Sequence, residues 1–357
     1  MEEHTVPTYC VTGSTGYIGS WLVKSLLQRG FRVHSTARDP EKISRFLPMW
    51  NGGNRLTVFK SNLDEEGSFD EAVEDCDGVF HVAASMEFNV LDKDNIDSYV
   101  QSCVIEPAIK GTVNLLKSCL RSKSVKRVVF TSSISTLTAK DVDGRWKEIV
   151  DESCQTPVDH VWKKKASGWA YVLSKLLSEE TAFRFANENG IDLVSVITTT
   201  VGGPFLAPSV PASIQVVLSH VTGGSEYNSI LWAVYNRMGS ISIVHIEDIS
   251  NAHIFLMEKS AAKGRYICTA HSCTMSQLVE CLALAYPCFD IQRLVNCRSS
   301  EDQHEPIPSK ISSKKLEDLG FEYKHGLGEI IQQSISCCVQ HGFLNHIPVA
   351  NKSYYGT

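Results

Sequence analysis

No two cysteines stand at Cys-x-x-Cys spacing in the 357 residues, although the chain holds 12 cysteines. Paired zinc-ribbon ligands and a disulfide framework are therefore not expected. Scattered thiols of this kind suit a reduced, mostly buried state, and the vicinal Cys337-Cys338 reads the same way. Nor does any stretch approach the roughly 18 consecutive apolar residues of a membrane-crossing helix, so membrane insertion is not expected. The opening Met1-Glu2-Glu3-His4 is acidic, with neither an apolar run nor Arg and Ser enrichment. No leader is expected there, and the chain reads as cytoplasmic. Strong charge of one sign is missing too: the formal net charge is -6 with both signs interspersed. That argues against nucleic acid or an anionic membrane as partner, and leaves Lys163-Lys164-Lys165 as a solvated loop. Internal repeats and low-complexity tracts are lacking, and residues 351–357 read as a loose tail.

What is present is a globular composition, 43% hydrophobic, in a chain longer than one ordinary domain. β-Branched and alternating stretches predict strands at 9–12, 31–38, 56–59, 78–82, 125–131 and 192–198. Helical patterns fall between them, at about 17–29, 40–47, 67–74, within 95–121, and at about 169–189. Strands alternating with helices pair in parallel through crossovers, so the expected fold class is α/β, a doubly wound (Rossmann) parallel sheet. Beyond Thr198 the rhythm breaks. A turn-rich passage leads to a helix at about 212–221, a strand at 242–246 that is expected to return to the sheet, a helix at 248–258 and a strand at 265–268. From Met275 only helices and loops are expected, including one helix at about 327–341. The expected organisation is a sheet-bearing domain of 1–198 plus about 242–268, and a smaller, mostly helical, discontinuous substrate lobe of about 199–241 and 269–357.

The stretch Cys10-Val11-Thr12-Gly13-Ser14-Thr15-Gly16-Tyr17-Ile18-Gly19 joins the first strand to the first helix. Glycines at i, i+3 and i+6 let the backbone approach a ligand closely and leave the helix N-terminus free to face a pyrophosphate, the physical core of dinucleotide binding. Thr12, Gly13, Thr15, Gly16, Tyr17 and Ile18 are the candidate contacts. The second strand ends Ser35-Thr36-Ala37-Arg38 with no acid at its tip, so Arg38 points to a 2′-phosphate and NADPH rather than NADH, with Lys42 and Arg45 nearby. Tyr171-Val172-Leu173-Ser174-Lys175 places a phenol and an ammonium on one helical face. A neighbouring positive charge lowers a tyrosine pKa, which equips the phenol for proton transfer to a carbonyl oxygen. Ser132 or Ser133, ending the fifth strand, supplies a hydroxyl for the developing alkoxide. Among the aromatic residues Phe88, Trp162, Trp169, Phe205 and Trp232, the two near strand ends, Phe88 and Phe205, are the candidate substrate contacts. His245, Glu247, Asp248 and His253 suggest a metal only superficially, since Asp248 reads as a helix N-cap. No metal is expected.

These motifs resemble the extended short-chain dehydrogenase/reductases, and within them the plant group that contains dihydroflavonol 4-reductase, anthocyanidin reductase, vestitone reductase and noscapine synthase. The resemblance is carried by 12–19, Ala37-Arg38-Asp39-Pro40, Phe80-His81-Val82-Ala83, 126–133, 171–175, 244–253 and Gly264-Arg265-Tyr266-Ile267-Cys268, nearly end to end. It implies an NADPH-dependent reductase of a bulky aromatic plant metabolite, acting as a monomer or homodimer, with Ser133, Tyr171 and Lys175 catalytic and Lys175 also on the nicotinamide ribose. It further implies that Asn62 and Leu63, Val82, Ala83 and Ala84, and Thr198 line the cofactor. Three departures stand out: Asn62 replaces the family's Asp, Ala84-Ser85 follows His-Val-Ala, and Ile197-Thr198-Thr199 lacks the usual proline. Thr138 stands where dihydroflavonol reductases often place an Asn that reads the substrate ring. The resemblance leaves anthocyanidin and dihydroflavonol substrates both open, with isoflavanones and alkaloids behind them. A nucleotide-sugar epimerase or dehydratase holding NAD, and a cofactor sensor without activity, share the fold; Arg38 speaks against the first and the Tyr/Lys pair against the second.

Overall fold

The computed structural model of the chain describes residues 6–84, 95–141, 143–287 and 309–345. In chain order the strands are β1 (Thr8–Thr12), β2 (Arg32–Ala37), β3 (Leu56–Lys60), β4 (Gly78–His81), β5 (Arg127–Ser133), β6 (Ile149–Val150), β7 (Leu193–Thr198), β8 (Thr200–Gly202), β9 (Ile241–His245), β10 (Gly264–Cys268), β11 (His271–Cys273) and β12 (Lys310–Ile311). Seven of them form one sheet in the order β10-β7-β5-β4-β1-β2-β3, with every neighbour parallel. The strands read as apolar runs because both faces are covered. In β1, Tyr9 and Val11 pack with Leu22 and Leu26 of the Tyr17–Gln28 helix and with Ile254, whereas Cys10 enters the opposite layer with Val79, Leu115, Leu116 and Ala182. The expected α/β doubly wound fold is thus present. Strand order reverses at β1, between β2 on one side and β4 on the other, which opens a crevice at the carboxyl ends of β1 and β4.

A second layer of structure sits beyond those carboxyl ends. There β8, β9 and β11 make a three-stranded sheet that packs with the helices Ser225–Met238, Met275–Ala285 and Leu327–Gln340 around Ile214, Leu231, Ile243, Leu278 and Ile331. The expectation that 242–246 rejoins the main sheet is corrected by this pairing: β9 runs parallel to β8 and antiparallel to β11. Alternating β-branched residues specify a strand and its buried face, not the sheet it enters. The two-residue β12 pairs with β6, so the region after Met275 is not purely helical.

Several helices differ from their expected lengths for identifiable reasons. Residues 96–122 do not form one α-helix: Ile96–Tyr99 passes into a π-helical turn, Val100–Ile105, before Glu106–Ser122. Pro107, near the start of that last helix, has no N–H to continue the ladder and forces the register to change. The segment after β2 is a 3-10 helix, Pro40–Arg45, capped by Asp39, and 67–74 contracts to Asp70–Val73. The helix at 212–221 divides into Ala212–Val217 and Ser219–Thr222. The Ser225–Met238 helix was absent from the expected elements, although Leu231, Tyr235 and Met238 repeat at helical spacing and are all buried.

Candidate active site

The glycine turn is built so that side chains have no room. Gly13 has φ +68°, and a Cβ there would stand 2.8 Å from the Ala83 backbone; a Cβ on Gly19 would overlap the Gly13 carbonyl. Gly16 caps the Tyr17–Gln28 helix with no side-chain hydrogen bond, leaving the first-turn N–H groups to a ligand. Thr12 works beneath this turn. It is fully buried, and its Oγ1 accepts from the Val82 and Ala83 N–H groups at 3.1 Å, which locks β1 to the end of β4. Ser14 performs the same service toward β2, its hydroxyl donating to Thr36 O at 2.8 Å and accepting from Ser35 at 2.7 Å. Thr15, Tyr17 and Ile18 remain partly exposed, and the Tyr17 hydroxyl donates to Gly203 O at 3.0 Å. Arg38 is exposed directly after β2, while the neighbouring carboxylate of Asp39 is occupied as a cap on the Glu41 N–H. A backbone cradle with an uncapped helix end and a free guanidinium at the second strand tip fits a dinucleotide carrying an extra phosphate.

The other expected cofactor residues follow the carboxyl ends of β3, β4 and β7, on the same side of the sheet as the glycine turn. Asn62 closes a turn after β3, accepting from Asp64 N–H and donating to Glu65, and Leu63 O accepts from Asn114 at 2.8 Å. Ala84 is exposed beyond Val82 and Ala83. Thr198 donates to Ser132 O at 3.0 Å and Thr199 to Cys268 O at 3.1 Å, so two hydroxyls brace the ends of β5, β7 and β10 where the family carries a proline.

Ser133 ends β5, and its Oγ accepts from the Ser135 N–H at 3.1 Å. The hydroxyl of Ser133 also hydrogen-bonds Tyr171, whereas the Ser132 hydroxyl is buried without a partner. Of the two serines left open by the strand pattern, the structure brings Ser133 to the phenol. Burial pushes the Tyr171 phenol above its usual pKa, while the Ser133 hydrogen bond and the charge of Arg237 pull the other way. The expected lowering of this phenol by Lys175 is therefore corrected. The Lys175 ammonium, 7% exposed, donates instead to Thr131 O at 2.7 Å and lies 4.9 Å from the Phe130 ring centre. Burial brings Lys175 down to about 8, opposed by Glu179. His81, in contact with Thr12 at 3.0 Å, is held near 3 by burial and by the Lys175 charge, so it is neutral.

Sequence reasoning missed three charged residues here. Glu179, one turn past Lys175, is buried and pairs with Arg265 at 3.1 Å. Arg265 continues to Thr136 Oγ1 and Glu152 O, both at 2.8 Å, and so fixes the loop that leaves Ser133 against the helix that carries Tyr171. Arg237, in the last turn of Ser225–Met238, directs its charge at Tyr171. Of the expected substrate contacts, Thr138 is partly exposed on the loop after β5. Phe88 lies outside the described residues. Phe205, at 3% exposure, packs against His341 and Phe343 with tilted rings in the lobe core, its N–H donating to Cys337 Sγ and its C=O accepting from that thiol.

Near the lobe, His245, Glu247 and His325 bring ligand-type atoms within 4.8 Å of one another. His245 already spends both nitrogens, Nδ1 accepting from Glu247 N–H as the helix cap and Nε2 on Gln333 at 3.1 Å. The cap is thus His245 and not Asp248, which is fully buried and accepts from the Lys324 and His325 N–H groups. His253 is apart, bonded to Thr131 and Ile249 O.

Comparison with known proteins places this geometry in context. The chain is 41% identical over 341 residues to dihydroflavonol 4-reductase of Arabidopsis thaliana, covering 94% of this chain and 84% of that protein. It is 42% identical over 340 residues to a putative anthocyanidin reductase of Ginkgo biloba, covering 94% and 96%. The crystal structure of vestitone reductase from alfalfa superposes with a TM-score of 0.76 at 31% identity, over 94% of this chain and 99% of that one. The model of the NAD dependent epimerase/dehydratase family matches residues 9–268, the glycine cradle through β10, and the chain belongs to that family.

Proposed function

We propose that the protein is an NADPH-dependent reductase of a bulky aromatic plant metabolite of flavonoid type, with dihydroflavonols and anthocyanidins, the substrates of its named relatives, first in line. The observation that carries this reading is the meeting of the Ser133 and Tyr171 hydroxyls at the carboxyl end of β5, beside a cradle shaped for a dinucleotide. In this reading Gly13, Thr15, Gly16, Tyr17 and Ile18 hold the pyrophosphate, with Thr12 bracing them, and Arg38 holds the 2′-phosphate. Asn62 and Leu63 take the adenine end; Val82, Ala83, Ala84 and Thr198 flank the nicotinamide end, and Lys175 with Tyr171 the ribose. NADPH, when bound, supplies the hydride.

The chain's own residues handle the oxygen. Ser133 donates a hydrogen bond to the substrate carbonyl, which draws electron density away from the carbon. Tyr171, kept as a neutral phenol by burial, passes its proton to the same oxygen, and the phenolate left behind is stabilised by Ser133 and Arg237. Thr138 lies on the loop that borders this point.

The sheet domain of 1–198 with about 242–268 is proposed as the cofactor half, and 199–241 with 269–357 as the substrate lobe, β9 being the element of the first span that packs with the second. Mostly buried free thiols fit a reducing compartment, and we assign the enzyme to the cytoplasm as a monomer or homodimer. No helix among the described residues is long and apolar enough to cross a membrane. Oxidation of NADPH against a panel of dihydroflavonols, anthocyanidins, isoflavanones and alkaloid hemiacetals, the last with NADP⁺, tests the reading. Turnover with NADPH well above NADH is the expected result. Binding of NADPH without turnover of any panel member would overturn it, and NAD retained through purification would redirect it to epimerase or dehydratase chemistry.

A further inference from the structure

We propose that Arg237 is a specificity-determining residue whose guanidinium receives a negatively charged oxygen of the substrate, a carboxylate or an ionised phenol, so that the preferred substrates are aromatic carbonyl compounds bearing an anionic group. This rests on the reductase reading and adds a substrate class to it.

The position of Arg237 is built rather than incidental. Its carbonyl accepts from the Ala139 N–H at 3.4 Å, and the next residue, Met238, is fully buried with Ile134, Leu137, Ala139 and Ile197 under the ends of β5 and β7. The helix then stops at Gly239, φ +72°, where a Cβ would meet the Trp146 ring at 3.0 Å. These contacts hold the last turn of the helix over the loop that leaves Ser133, near enough for the Arg237 charge to act on the Tyr171 phenol.

The guanidinium has no counter-charge there among the described residues. Among the described residues Arg237 enters no ion pair and its side chain donates no hydrogen bond, and its Nε is buried without a partner. Arg127, buried, and Arg265, partly buried like Arg237, each have a carboxylate and at least one carbonyl. Sealing the Nε of an arginine from water without a partner carries a desolvation cost that a hydrocarbon side chain of similar volume would not. A planar fork of donors is matched by a two-oxygen anion or a phenolate. The cofactor's own phosphates do not answer this need. Counting strands across the sheet, β5 is two steps from the cradle on β1 and three from Arg38 on β2, about 10 and 14 Å at the usual spacing. With neither the described carboxylates nor the cofactor's phosphates in place to pair with it, the guanidinium is open to an anion on the substrate.

The test compares 4-carboxybenzaldehyde with its methyl ester, binding measured by calorimetry on the full chain with and without saturating NADP⁺, for the natural protein, Arg237→Leu and Arg237→Lys. The acid is expected to bind about tenfold or more tighter than the ester, as a charge-assisted hydrogen-bonded pair implies, with the ratio collapsing toward one in Arg237→Leu and largely restored in Arg237→Lys. A phenolate source is read separately from the binding of 4-hydroxybenzaldehyde and its methyl ether across the phenol's titration. Equal binding of acid and ester, equal loss of both in Arg237→Leu, or binding of neither overturns the proposal. NADPH oxidation with the same aldehydes reports on the reductase reading alone: discrimination without turnover retains the role of Arg237 and removes the reductase, and turnover without discrimination does the reverse.

Discussion

Arg127 begins β5 and Arg237 stands over its far end, and the two guanidiniums are treated in opposite ways. At the base, Arg127 donates to Asp192 at 2.7 Å and to the carbonyls of Leu256 and Lys259 at 2.8 and 2.6 Å, tying β5, β7 and the Ile246–Glu258 helix together. At the rim, Arg237 has no carboxylate, Lys175 is an ammonium under a protein ceiling, and the hydroxyl of Ser132 is buried alone. At the base, Arg127 has each of its three guanidinium nitrogens hydrogen-bonded. The rim leaves charge and hydrogen-bonding capacity unspent, which lowers stability but leaves those groups available to a reacting molecule.

Exchange experiments break or sharpen this contrast. The largest effect is expected from Tyr171→Phe at the rim: turnover falls by about 10² to 10⁴, as for loss of a general acid, while the unfolding midpoint stays near that of the natural protein. Steady-state kinetics with a verified substrate decide it, and near-normal rates would remove Tyr171 from the mechanism. Next, Arg127→Leu at the base should cost roughly 2–3 kcal/mol of stability, by leaving the carbonyls of Leu256 and Lys259 without their donor more than by freeing the partly exposed Asp192, without changing the rate per folded molecule. Urea unfolding and active-site titration together separate the two.

Lys175→Met reverses the usual direction. Burial holds the folded ammonium at about 8 against the ordinary lysine value of 10.5 in the unfolded chain, so the penalty for burying its charge is fully present below pH 8. Between about 8 and 10.5 the unfolded chain holds the proton that the native state has released, and stability rises with pH. The variant should therefore be more stable at pH 7, by an amount on the order of 1–3 kcal/mol, with the difference from the natural protein shrinking toward pH 10.5, and catalytically impaired. Thermal unfolding at pH 7 and pH 10 checks the sign. The smallest effect belongs to Ser132→Ala, which removes a hydroxyl that has no partner; a change within about 1 kcal/mol, neutral or stabilising, is expected by the same unfolding assay.

What could be read in the sequence was whatever is local. The glycine turn and the Tyr171 and Lys175 pair declare themselves by spacing within a few residues, the strand pattern leaves Ser132 and Ser133 both open, and the parallel sheet follows from strand and helix alternation. Arg237, Arg265 and Glu179 were not visible because their meaning is a meeting: Glu179 and Arg265 stand 86 positions apart, and neither is unusual in its own window. The same holds for β9, whose pattern fits either sheet. Reading Tyr171 and Lys175 as an i, i+4 pair put them on one face correctly, but it could not reveal that Thr131 O captures the ammonium from the strand beneath.

The hydrogen bond from Tyr17 to Gly203 O spans 186 positions, and Gly203 in turn donates its N–H to Ser334 across another 131. The first turn of the helix behind the glycine turn is therefore tied, through the two sides of one glycine, to the Leu327–Gln340 helix near the other end of the chain, so that a change at Ser334 reaches the cradle by way of two hydrogen bonds.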